Sequence, residues 1–444
     1  MNILSGAAGA LGSGAGALGG LGGADAFGPA APPLSYSDLQ TKYNDFGFPL
    51  VDIFVCEKPI AFDDKSNIVI NDVRIEITSG FEASMASFKI YNVFDTKKGK
   101  FKYEGLKSQI FMGAPVSINM GYAEATENVF IGFIAGVAFG YQSEDLPYIE
   151  VNAMDVKSIM MGGTYSYQLT AKTYGEAVEE IFKRTGYEKL KAAGGIKDFA
   201  IDNTPDKKQP PSPPGVPPVP APPSAPGTQK ESAETIEMVA ESDYEFVVKA
   251  AKKFNFEFFI DRGVVRFRKA KSVKAPLAKI SVGRGILTFH IEYSITGLVG
   301  SIEARAMDAG QGKIISAKGS REGTISTSGK AEGLIGKATK VYIDPTITSQ
   351  EQADARVDSL MEQMSYRLGS LEAECVGIPD LVPGRFITVD GMGAPADNNF
   401  YITSVIHEFM PGSGYRTKLK GCAAEIKPNG LSAAGSLPTG GLPF

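Results

Sequence analysis

Tryptophan is absent from this chain, and histidine occurs only at His290 and His407. Two histidines and no adjacent cysteine pair rule out the Cys–His spacing of a structural zinc site, so no metal is expected. The three cysteines, Cys56, Cys375 and Cys422, are far apart and odd in number. They outline no disulfide framework and fit folding in a reducing compartment. A Cys–His nucleophile would have to be drawn from these five residues. Small buried packing is the commoner fate of cysteines in strands such as SLEAECVG. No GxSxG occurs, which removes the hydrolase elbow. GLIGKATK, 333–340, imitates a phosphate loop but has Ala331 in place of the first glycine and Ala338 in place of the hydroxyl. No catalytic residue and no cofactor are expected.

Long apolar runs are missing too. VFIGFIAGVAF, 129–139, is too short to span a bilayer as a helix. Its Gly132 and Gly136, with Gly140 just beyond, read as punctuation of a strand. No Lys or Arg precedes Lys42, so the basic start of a secretory signal is not expected. A net charge of −5 argues against a coat for nucleic acid, which needs a basic excess. The one basic run, KKGKFK at 97–102, reads as a solvated hairpin loop.

What is present is mostly strand. From 49 to 155, PLVDIFVCEK, NIVINDVRIEITS, ASFKIYNV, APVSINMGYA, NVFIGFIAGVAFGYQ and LPYIEVNAMD are separated by turn-rich spacers. Helical periodicity then appears at 173–185, capped by Thr173 and Glu176, with Gly186 as its stop. A second helix at 242–254 has Ser242 and Glu245 as a capping box and runs into a hairpin turning at 261–263. Between them lie 11 prolines from Pro205 to Pro226, which can form neither helix nor central strand. Strands resume from 277, interrupted by a helix at 349–368 that Ser349 caps. The last three, RFITVDG, FYITSVIHEF and YRTKLKG, form a meander that needs partner strands. Strands at 286–345 and 370–377 are the expected partners, with the 349–368 helix alongside.

This pattern predicts a mainly β protein with an α+β middle: two barrel-like β-domains around a small α/β domain. The expected divisions are a flexible Gly/Ala-rich tail at 1–48, a first β-domain at 49–160, and an α/β domain at 161–285 with a Pro-rich linker at 205–228. A second β-domain at 286–427 and a flexible tail at 428–444 complete the chain.

The order of features resembles the hub proteins of contractile tails: the phage late control D family and the hub portion of VgrG-type spike proteins. NVFIGFIAGVAFGYQ with YIEVNAMD, the exit past Gly162-Gly163 into the Thr173 helix, ESDYEFVVKAAKKFNFEFFIDRGVVRFRK, and the closing meander carry the resemblance. It covers about residues 49–421. It implies two tube-type β-domains per chain and a homotrimeric, pseudo-sixfold ring that joins a sixfold tail tube to a threefold spike. It further implies a place in the virion tail baseplate or a phage-derived contractile particle, assembled in the bacterial cytoplasm. Baseplate wedge and tape-measure proteins are further implied partners, with nucleic acid or protein cargo in passage. Only PNGLSAAGSLPTGGLPF follows Lys427, so the spike is expected to be a separate polypeptide. The alternatives are a tail-associated cell-wall hydrolase and a peripheral receptor- or carbohydrate-binding tail protein.

Overall fold

The computed structural model describes residues 32–60, 68–103, 106–107, 109–123, 125–142, 145–204, 236–308, 312–326, 330–345, 347 and 349–427. The Pro-rich linker, the 428–444 tail and residues 1–31 lie outside these. Residues 32–48 do not continue a tail as expected. Ser35 and Asp38 form a reciprocal capping box that starts α1 (Tyr36–Lys42), and Leu39 and Tyr43 are fully buried. A polar cap and two apolar anchors outweigh the glycine-rich composition upstream.

The first unit contains β1 (Pro49–Val55), β2 (Lys58–Pro59), β3 (Val69–Thr78), β4 (Met85–Tyr91), β5 (Phe94–Asp95), β6 (Lys100–Phe101), β7 (Pro115–Tyr122), β8 (Ala125–Gly140) and β9 (Tyr148–Met154). Alternate residues of β1, β4 and β9 are buried, as the period-2 pattern requires. The basic run is the exposed β5–β6 hairpin. The glycine-punctuated apolar run is β8.

The middle unit contains α2 (Val156–Met160), β10 (Tyr165–Gln168), α3 (Tyr174–Phe182), α4 (Thr185–Ala192), β11 (Asp198–Ile201), β12 (Glu237–Glu241), α5 (Asp243–Phe254), β13 (Phe256–Asp261) and β14 (Val264–Lys269). The caps at Thr173 and Ser242 form as expected. Gly186 is not a stop: Lys183 ends α3 and Gly186 sits inside α4, which starts at once. Arg262 and Gly263 both have positive φ at the β13–β14 turn, the backbone of a tight hairpin. Val156 and Met160 pack in this unit's core with Phe246, Phe258 and Phe267.

The rest comprises β15 (Pro276–Val282), β16 (Gly285–Tyr293), β17 (Ser301–Asp308), β18 (Lys313–Ser320), α6 (Lys330–Ile335), β19 (Thr339–Ile343), α7 (Gln350–Ser365), β20 (Gly369–Val376), β21 (Phe386–Asp390), β22 (Asn398–Met410) and β23 (Gly414–Ala423). Two expectations need correction. β15 pairs with β21, so the second β-unit begins at 276 and not 286. Among the described residues β17, β18 and β19 pair only with one another and are not partners of the meander. Their apolar face, with Ile302, Ala304 and Ala306, is covered by α7, so they form an insert with separate small cores.

The fold is mainly β. The strands β21-β15-β16-β20-β23-β22 close into a six-stranded barrel, because β22 pairs with both β21 and β23. The first unit runs β1-β7-β8-β9-β4-β3, and among the described residues β1 and β3 do not pair to close it. Its β3 pairs with β22, so both units belong to one 13-stranded sheet over a shared core.

The two units repeat. β7-β8-β9-β4-β3 and β21-β22-β23-β20-β16 have the same order, and every neighbouring pair is antiparallel. The agreement extends to single hydrogen bonds. Gly113 N donates to Ile134 O and Ile134 N to Ala114 O; Gly384 N donates to Ile402 O and Ile402 N to Arg385 O. Gly113 and Gly384 both have positive φ. The β8–β9 register slips between Ile134 and Gly136, and the β22–β23 register slips between Ile402 and Ser404. One strand breaks the parallel: β1 is antiparallel to β7, whereas β15 is parallel to β21.

Candidate functional site

Cys375, Thr417 and His407 occupy one rung of the barrel interior, on β20, β23 and β22. This is the nearest the chain comes to a Cys–His pair, and its electrostatics oppose reactivity. Burial pushes the Cys375 thiol up to about 12. Burial, aided by the Arg262 charge, pushes His407 down to about 3. Both are neutral near pH 7, the reverse of a thiolate–imidazolium pair. The Tyr415 hydroxyl lies 2.8 Å from His407 Nδ1 and Thr417 Oγ1 lies 3.2 Å from it. The bond between the tyrosine hydroxyl and Nδ1, its direction set by the ring's tautomer, fixes the ring. His290 is exposed on β16, Cys56 is exposed after β1, and Cys422 is held up at about 11 by burial. None of these three joins the rung. Among the described residues no cluster of His, Cys, Asp and Glu could hold a metal ion. No described helix is long and apolar enough to cross a membrane.

Buried polar chemistry is concentrated instead where units meet. At the first junction α1 acts as a strap. Lys42 Nζ reaches Asp380 at 2.8 Å and Glu127 at 2.9 Å, and the Tyr43 hydroxyl donates to Asp380 at 2.6 Å. Arg262, from the middle unit's turn, donates to Pro379 O at 3.0 Å. Four parts of the chain therefore share one small network.

At the second junction Arg268 Nε donates to Glu257 at 2.6 Å and its Nη2 donates to Gly384 O at 2.6 Å. The Tyr401 hydroxyl donates to the same carboxylate. Burial raises the Glu257 pKa, and the Arg268 charge opposes the rise. A buried charge this enclosed holds only while its partner remains.

The third junction joins β9 to the middle unit. Asp155 accepts from Ser84 N at 2.8 Å and Lys157 N at 2.9 Å, capping α2. Lys157 Nζ donates to Gly80 O at 2.9 Å and Glu82 O at 2.8 Å, and burial pushes it down to about 8. Each of these groups bonds across a boundary between units and so braces one unit against another. Sequence reasoning missed them. The available signal was charge inside apolar strands: Glu257 in FEFFID and Arg268 in RFRK.

The exposed side of the sheet tells the remaining story. Across β20, β23, β22 and β3, outward residues form a self-paired ladder. Lys420 meets Glu372 at 3.2 Å, Lys418 meets Glu408 at 2.7 Å, and Arg74 bonds both Glu408 and Glu76. A shallow groove of about 320 Å³ lies there, lined by Thr288, His290, Glu374 and Ile406 among others. Such charge balance leaves little net field over the face.

Residues 225–410 match a family model described as the Alg8 N-terminal domain. That match covers less than half of the chain and stops before β23, inside the closed barrel. No curated protein matches. Among solved structures the chain is similar to the 43 kDa tail protein of prophage MuSo2 from Shewanella oneidensis. The two are 15% identical, with a TM-score of 0.57, over 86% of this chain and 98% of that one. It is also similar to the tail protein from Neisseria meningitidis MC58, at 10% identity and a TM-score of 0.56, over 85% of this chain and 99% of that one. At these identities the likeness is one of fold: the chain has the tail-protein fold almost end to end.

Proposed function

We propose that this protein is a structural hub of a phage tail baseplate or a phage-derived contractile particle. Three copies form a ring in which the duplicated β-units present six similar edges to a sixfold tail tube. A separate threefold spike binds the other side. The observation that carries this reading is the repeated unit itself, joined edge to edge within one chain. A chain with two equivalent domains matches threefold to sixfold symmetry without any change of sequence. The near end-to-end likeness to two tail proteins supports it.

In this reading the protein does no bond chemistry. Its buried polar groups brace three units against one another so that force passes through the ring without rearrangement. The self-paired face of β20, β23, β22 and β3 lines the bore. Nucleic acid or protein cargo slides past a balanced surface, whereas a lysine-rich lining would hold phosphates. Wedge and tape-measure proteins take the outer surfaces. Assembly takes place in the bacterial cytoplasm before the particle is complete.

Sedimentation velocity on the full-length chain tests the copy number. A species of three times 47.1 kDa, formed alone or on adding the spike, is expected. A chain that stays monomeric at assembly concentrations in both conditions contradicts the hub.

A further inference from the structure

Within one chain, β3 and β22 hold the two units together. The pairs run from Ser404–Thr78 to Phe409–Val73 and set Val405, His407 and Phe409 opposite Ile77, Ile75 and Val73. Because the units repeat, each of these strands has a counterpart: β16 for β3, and β8 for β22. Neither counterpart has a partner on the equivalent edge among the described residues. β8 runs on past Phe133, where β7 stops, and from Gly136 to Gly140 it pairs only with β9. β16 pairs with β15 only at Gly285 and Ile286, and from Thr288 to Tyr293 it pairs only with β20.

The shared register slips align the two copies residue by residue. Gly136 falls on Ser404 and Tyr141 on Phe409. Through β9–β4 and β23–β20, Phe289 falls on Val73 and Tyr293 on Ile77. We infer that β8 of one copy of this chain pairs antiparallel with β16 of the next, with Val137 opposite Tyr293, Phe139 opposite Ile291, and Tyr141 opposite Phe289.

Side-chain chemistry on both edges fits. The positions that are apolar at the internal junction are apolar here, yet Phe139 is 49%, Tyr141 64% and Phe289 42% exposed. Between them β8 has Gly136, Ala138 and Gly140, which offer no bulk against Glu292 or His290. No like charges face each other. Residues 136–140 also lack the lysine, proline or inward charge that usually protects a free edge. Within the chain the rings of Phe101 and Tyr103 pack on Phe139 and that of Phe94 packs on Tyr141, but among the described residues the backbone of 136–140 pairs with no strand besides β9, which is consistent with an edge covered in the assembly. Among the described residues each copy has one open β8 edge and one open β16 edge, so the contact is head to tail. In the ring reading it closes at three copies. The inference rests on the ring reading for that closure, but not for the strand pairing.

Cross-linking full-length chains in a Cys56→Ser background tests it. Directly opposed residues of an antiparallel pair bring Cα atoms to about 4.5–5.5 Å, within disulfide reach. Ala138→Cys mixed with Glu292→Cys should therefore link between chains, whereas Ala138→Cys mixed with Thr288→Cys, off register, should not. A chain with both Ala138→Cys and Glu292→Cys should close into a covalent trimer. Phe289→Asp should raise the concentration needed for assembly by about tenfold or more while circular dichroism stays unchanged. A native trimer that never cross-links in register overturns the pairing and leaves the ring. In-register links that grow into open chains keep the pairing and overturn the three-copy ring. A permanent monomer overturns both.

Discussion

At the scale of residues, the fold depends on a few buried polar groups whose charge states are set by enclosure. His407 is the clearest. Its pKa is depressed from 6.5 to about 3, so the folded state holds a neutral ring. Stability from this group is complete above pH 6.5 and is lost as the pH falls toward 3. His407→Gln should lower stability at pH 7 by about 1–2 kcal/mol through the lost Tyr415 bond. The deficit should shrink as the pH falls from 6.5 to 4, read from urea midpoints of both proteins. Arg268→Ala leaves Glu257 buried without its cation and should cost about 3–5 kcal/mol. Arg268→Ala with Glu257→Gln should recover part of that loss, which chemical denaturation can measure. These roles were only partly legible. His407 could be placed on a strand with Glu408 on the other face, and that holds: Glu408 reaches Arg74 and Lys418 outside while His407 is enclosed. The partners of Glu257 are 11 and 144 residues away, and no local pattern encodes such distances.

At the scale of elements, local chemistry was readable wherever it is self-contained. Ser242 and Ser349 cap the helices that follow them, and the 261–263 turn has the backbone its glycine suggested. Gly186 misled because a glycine after an amphipathic run usually stops a helix; here Thr185 starts a new one. The strands of the insert misled because periodicity shows which face is buried, not against what. The repeated glycines give a sharp test of local strain. Gly113 and Gly384 share a positive φ, but a Cβ at 113 meets nothing within 4 Å, whereas at 384 it meets Phe259 Cζ at 2.6 Å and Arg268 Nη2 at 3.0 Å. Gly113→Ala should cost about 1 kcal/mol, the left-handed penalty alone. Gly384→Ala should cost clearly more, and thermal melts of the two variants should separate.

At the scale of the whole molecule, the duplication organises everything else. The order of β- and α/β-segments was visible along the chain, and so was an echo of the first β-domain in the second. The equivalence of β7-β8-β9-β4-β3 with β21-β22-β23-β20-β16 was not. A sheet constrains which face of each position is apolar, and many sequences satisfy that. The hydrogen bonds at Gly113 and Gly384 repeat although MGAPVSI and PGRFITV share little beyond the glycine. The proposed assembly rests on this repetition: two equivalent units, with two edges unpaired among the described residues, fit a closed ring. Averaged electron-microscopy images of the full-length protein, alone and with its spike, test that claim most directly. The account predicts a threefold ring with a central channel and six similar β-lobes around it. A twofold particle, or a compact body without a channel in both samples, contradicts it.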